Sequence, residues 1–120
     1  MQKKGFIHRN ITPESILVNT SSRKVKLGGF YYATYLKPNS FGKKKEAPTS
    51  HLYMSPEVLS LKHLRKTQIA VDRYSHGMDI WALGITLLEL ITGHPPHYQE
   101  YTSGFESESQ QDVIEKIIEF

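Results

Sequence analysis

The chain has 120 residues, no cysteine and a formal charge of +3 with histidine neutral. That length supports one small domain with a modest core, and the lack of Cys excludes a disulfide framework and a cysteine zinc site. An ordinary 38% hydrophobic content excludes disorder throughout, and so small a charge bias does not point to nucleic acid or an anionic membrane.

Met1-Gln2-Lys3-Lys4-Gly5 is basic, but only Phe6 and Ile7 follow before His8, so no signal peptide is read. Ile16-Leu17-Val18 and Val25-Lys26-Leu27 flank the turn formers Asn19 to Arg23, which predicts a small antiparallel hairpin. From Thr34 to Ser50 no period survives. Pro38, Asn39, Gly42, Pro48 and the run Lys43-Lys44-Lys45 predict an exposed, solvated loop.

Met78 to Ile91 predicts a helix. Ile80, Leu83, Leu87 and Leu90 recur at spacings of three and four, and Trp81, Ile85, Leu88 and Ile91 fill a second row. Apolar nearly all round, such a helix is expected to be buried. Asp79 suits its positive first turn; Gly93, followed by Pro95-Pro96, suits its end. Ile80 to Ile91 is too short to cross a bilayer and holds Glu89, so no membrane span is read. Ser109 three residues before Asp112 resembles a capping box. Val113, Ile114, Ile117 and Ile118 then share one face, which predicts a closing amphipathic helix. Both helices need more cover than these elements supply, so the chain is expected to be cut at its C-terminal end and to fold poorly alone.

Four blocks in order carry a resemblance. His8-Arg9-Asn10-Ile11-Thr12-Pro13-Glu14-Ser15 resembles the catalytic loop H-R-D-L-x-x-x-N of eukaryotic-type protein kinases. Gly29-Phe30-Tyr31 stands where that family has D-F-G, and Ser55-Pro56-Glu57 where it has A-P-E. Asp79-Ile80-Trp81-Ala82-Leu83-Gly84 resembles its central helix, with a lean towards serine/threonine kinases. Residues 1–120 are therefore expected to form a partial protein-kinase-like domain without an N-lobe. The expected fold class is mainly α with a small β-hairpin, a partial C-terminal lobe.

The resemblance assigns roles that these residues can be checked against. The base position holds Asn10 for Asp, and a neutral amide does not take up a proton at physiological pH. The two metal-ligand positions hold Ser15 for Asn and Gly29 for Asp, although hard cations want charged oxygens. Thr12 replaces the Lys that contacts the transferring phosphate. No catalytic or cofactor-binding set is intact, and no metal site is expected. ATP and magnesium are expected only if the full-length parent binds nucleotide. The remaining positions carried over, His8, Arg9, Phe30, Ser50, Ser55, Pro56, Glu57, Asp79 and Trp81, belong to the frame and the activation segment.

His8 reads as a packed structural residue rather than a catalyst. Arg9 has two readings: pairing with a phosphate on Thr34, Ser40, Thr49, Ser50 or Tyr53, or bonding nearby carbonyls, with the second favoured. Glu57 is expected to be solvated, because its usual Arg partner lies beyond Phe120. Asp79 is expected to accept hydrogen bonds from the backbone of the His8-Arg9 loop. Leu61, Leu64 and Ile69 with Lys62, Arg65 and Lys66 suggest an extra amphipathic turn.

Three functions follow. The first is a pseudokinase scaffolding or regulating a protein partner, a kinase or another scaffold, in an intracellular, cytoplasmic setting. The second is a divergent serine/threonine kinase, and the third a truncated fragment without a role. The missing carboxylates favour the first over the second, and the missing lobe and exposed apolar faces favour the third for this chain taken alone.

Overall fold

The computed structural model describes residues 5–35, 51–63, 75–96 and 98. The expectations for Ser40, Lys43-Lys44-Lys45, Thr49, Ser50, Leu64, Arg65, Lys66 and Ile69, and for the closing helix from Ser109, lie outside these residues.

Strand β1 (Phe6–Ile7) pairs antiparallel with β4 (Thr34–Tyr35), placing Phe6 opposite Tyr35 and Ile7 opposite Thr34. Between them β2 (Ile16–Asn19) pairs antiparallel with β3 (Lys24–Leu27). The hairpin forms as its alternation predicts, with Val18 opposite Val25. Its turn closes through Asn19 Oδ1, which accepts from the Ser22 N–H at 2.8 Å, and through Arg23 in the left-handed region at φ 53°. Single 3₁₀ turns occupy Pro13–Ser15, Phe30–Tyr32 and His51–Tyr53.

Helices begin later. The first, α1 (Pro56–His63), opens on Pro56, whose fixed φ and missing N–H suit a first helical position. The carbonyl of Ser55 accepts from Val58 and Leu59 N–H, both at 3.0 Å. Leu61 and Lys62 fall within this helix. The second, α2 (His76–Thr92), starts at Ser75, whose hydroxyl accepts from Gly77 N–H. It ends at Gly93, whose φ of 88° only glycine adopts freely and whose N–H returns to the Glu89 carbonyl.

Two expectations are corrected here. The chain is not a mainly α fold with one hairpin, and the partial C-terminal lobe assigned on that basis goes with it. From Phe6 to Tyr35 the described residues form two separate two-stranded sheets and no α-helix, so this is a mixed fold with a sheet-containing N-terminal part and one long helix. The second sheet escaped prediction because two-residue strands carry no alternation to read. The other correction concerns α2, which is not buried all round. Met78, Ala82 and Thr86 are buried, one residue per turn, while Ile80 (61% exposed), Leu83, Leu87, Leu88, Leu90 and Ile91 face outward. Period reports which residues are apolar; cover depends on what else packs there.

Among the described residues the buried apolar side chains are Ile7, Ile11, Met54, Val58, Leu59, Met78 and Ala82. Within it α2 packs on β1, on the Pro13–Ser15 turn and on the His51–Tyr53 turn.

Candidate functional site

The site grows from residues 8–15, the loop between β1 and β2. Its anchor is a carboxylate distant in sequence. Asp79, in the first turn of α2, accepts from the His8 N–H through Oδ2 at 2.6 Å and from the Arg9 N–H through Oδ1 at 2.9 Å. Those two N–H groups converge because Arg9 sits at φ 70°, a left-handed conformation that costs a non-glycine residue energy. Charge-assisted hydrogen bonds are the strong kind and offset that cost.

His8 is fully buried. Its Nε2 lies 2.7 Å from the Gly28 carbonyl, and its Nδ1 is 3.3 Å from the Asn10 backbone nitrogen. A neutral ring protonated at Nε2 serves both partners: it donates to Gly28 and accepts from Asn10 N–H. The ring also meets Phe30 edge-on at 4.9 Å. His8 thus ties the loop to the segment leading into Gly29-Phe30-Tyr31.

Arg9 is buried, and its Nη1 donates to the Tyr32 carbonyl at 3.3 Å. That is the carbonyl-bonding arrangement of its two readings. Of the acceptors offered to a phosphate, Thr34 lies in β4, and the Tyr53 hydroxyl donates to Glu89 on α2. Burial, and then the neighbouring Glu89 carboxylate, push the Tyr53 phenol well above its ordinary range. This Tyr53–Glu89 contact was not read from the sequence. The only signal available was a carboxylate inside the apolar run of α2.

The chemical end of the loop is built differently. Asn10 presents an amide at the position where the resemblance expects the base. The Ser15 hydroxyl donates to the Thr12 carbonyl at 2.7 Å and accepts from the Thr12 N–H at 3.1 Å. Gly29 has no side chain and sits at φ 74°, ψ 36°. A Cβ there would lie 3.6 Å from Ser15 Cβ and 3.9 Å from His8 Cε1, ordinary contacts. Space therefore does not forbid a side chain at position 29, and Asp is among the residues enriched in this left-handed region.

The donor set of the described residues does not fit a magnesium ion. The carboxylates of the described residues are Glu14, Glu57, Asp79 and Glu89. Both Asp79 oxygens hold backbone N–H groups, and Glu89 holds Tyr53. Glu57 is exposed on α1. Glu14 is exposed too, and its carboxyl is held below the usual range by the Thr12 hydroxyl and by its own backbone N–H. Among the described residues no carboxylate is left over to take the place of a side chain at Gly29. Among the described residues no group of three His, Asp or Glu could hold a metal ion, and no helix is long and apolar enough to cross a membrane.

Comparisons with known proteins match the whole chain, residues 1–120, to the family described as "Protein kinase domain". The chain is 34% identical over 100 residues to "Aurora kinase" of Saccharomyces cerevisiae, covering 83% of this chain and 24% of that protein. It is 38% identical over 97 residues to "Mitogen-activated protein kinase kinase kinase 9" of Arabidopsis thaliana, covering 81% of this chain and 11% of that protein. It is 33% identical over 100 residues to "Serine/threonine-protein kinase PAK 5" of Rattus norvegicus, covering 83% and 12%. The chain thus spans well under two thirds of the length of each.

Proposed function

The chain belongs to the eukaryotic-type protein kinase family, and from that premise we propose that it is a catalytically impaired member, a pseudokinase. It serves as a scaffold or allosteric partner of another protein in phosphorylation signalling, in an intracellular setting.

One observation carries this reading: the positions that would grip magnesium and receive a proton hold Gly29, Ser15 and Asn10, and the nearby carboxylate, Asp79, is spent on backbone. Phosphoryl transfer in this family is almost entirely positioning and electrostatic stabilisation. Losing a positioned base alone costs about 10²–10⁴ in rate. The metal and base losses act on the same transition state, so they overlap instead of adding. Thr12 removes the cationic contact to the phosphate as well.

The names of the relatives, all protein kinases, favour a second reading: a divergent serine/threonine kinase transferring phosphate from ATP to protein hydroxyls. A radiolabelled-ATP assay of the full-length protein with a generic substrate separates the two. The pseudokinase reading expects incorporation at background. Magnesium-dependent turnover abolished by Asn10→Ala would overturn it.

A further inference from the structure

Resting on that reading, we infer that the loop at the family's metal position has become self-supporting, with Ser15 as a metal-independent latch. The Ser15 hydroxyl has one proton, and it goes to the Thr12 carbonyl. The same oxygen accepts the Thr12 N–H, and the Ser15 N–H returns to the Thr12 carbonyl at 3.0 Å. Ser15 is buried, so these bonds are shielded from competing water. The Ser15 carbonyl in turn accepts from Gly28 N–H at 2.7 Å, binding the latch to the strand that leads into Gly29. A metal ion has nothing left to organise here, so divalent cations leave the fold of this loop unchanged.

The latch also explains what a metal site would require. The Cβ of a residue at position 29 would lie 3.6 Å from Ser15 Cβ, so two longer side chains there could converge on one ion. Ser15→Asn with Gly29→Asp would supply the oxygens while dismantling the latch.

The test uses the full-length protein with Mn²⁺ as an electron-paramagnetic probe, and melting with and without MgCl₂. Wild type is expected to leave the free Mn²⁺ signal undiminished and to melt at the same temperature with and without magnesium. Ser15→Ala should lower the melting temperature by roughly 2–4 °C in either condition. The Ser15→Asn/Gly29→Asp double variant should deplete the Mn²⁺ signal. Depletion by wild type that Ser15→Ala abolishes would overturn the latch, as would an unchanged Ser15→Ala melt. Where a variant fails to fold the wild-type melt decides: a melting temperature raised by MgCl₂ would overturn the latch. Phosphotransfer by wild type would instead overturn the functional reading, so the two failures are distinguishable.

Discussion

The two ends of the loop at residues 8–15 invite comparison. At one end, His8 and Arg9 are buried, and Asp79 holds both of their N–H groups. At the other, Asn10 offers an amide, Ser15 a hydroxyl bonded to the Thr12 backbone and Gly29 no side chain, at the positions the proposed reading gives to the base and metal ligands. On the proposed reading, the same few residues keep the frame of a kinase and lack its reagents. Framing depends on backbone groups and one distant carboxylate, whereas chemistry depends on side-chain identity, so one can be lost without the other.

The largest effect that would break this comparison belongs to Asp79. Asp79→Ala leaves two N–H groups without their acceptor and Arg9 strained at positive φ, which should cost about 3 kcal/mol or more. Chemical denaturation of the full-length protein checks it. An unchanged midpoint would reduce Asp79 to a helix-start carboxylate. Tyr53→Phe comes next. It frees Glu89 in a partly buried place and should cost about 1–3 kcal/mol, read from the same denaturation curve.

A smaller effect of opposite sign is expected at Thr86, which is fully buried with its hydroxyl unpartnered. Thr86→Val keeps the shape and removes the unsatisfied group, so the unfolding free energy from the same denaturation curve should be unchanged or raised by up to about 1 kcal/mol. The smallest effect lies with Glu14. Its folded pKa is depressed, so its contribution is complete above the ordinary carboxylate range and is lost as pH falls through the lowered value. Melting followed from pH 7 down to about pH 3 should show a slightly shallower acid loss in Glu14→Gln. An identical acid limb would remove the Thr12–Glu14 bond from the account.

Local pattern made some of this fold legible. Alternation at Ile16 to Leu27 announced the hairpin, and spacings of three and four announced α2. What escaped were features set by distant partners. Phe6–Ile7 is a strand only because Thr34–Tyr35 comes back to it. The outward Ile80, Leu87 and Leu90 look the same in sequence as the inward Met78 and Ala82. At the site, the identities of Asn10, Ser15 and Gly29 were plain from the order of the blocks. The Asp79 clamp was expected through the resemblance alone, since nothing local joins residues 70 apart. The Ser15 latch needed coordinates, because a serine in a loop has many possible partners.

The most direct measurement of the central claim compares phosphate transfer by the full-length wild type with that of a variant carrying the family's side chains: Asn10→Asp, Thr12→Lys, Ser15→Asn and Gly29→Asp. If only those reagents are missing from a standing frame, wild type stays at background. The restored protein then rises above it by at least about 10²-fold. A wild type that already transfers phosphate as fast as the restored protein would contradict the account.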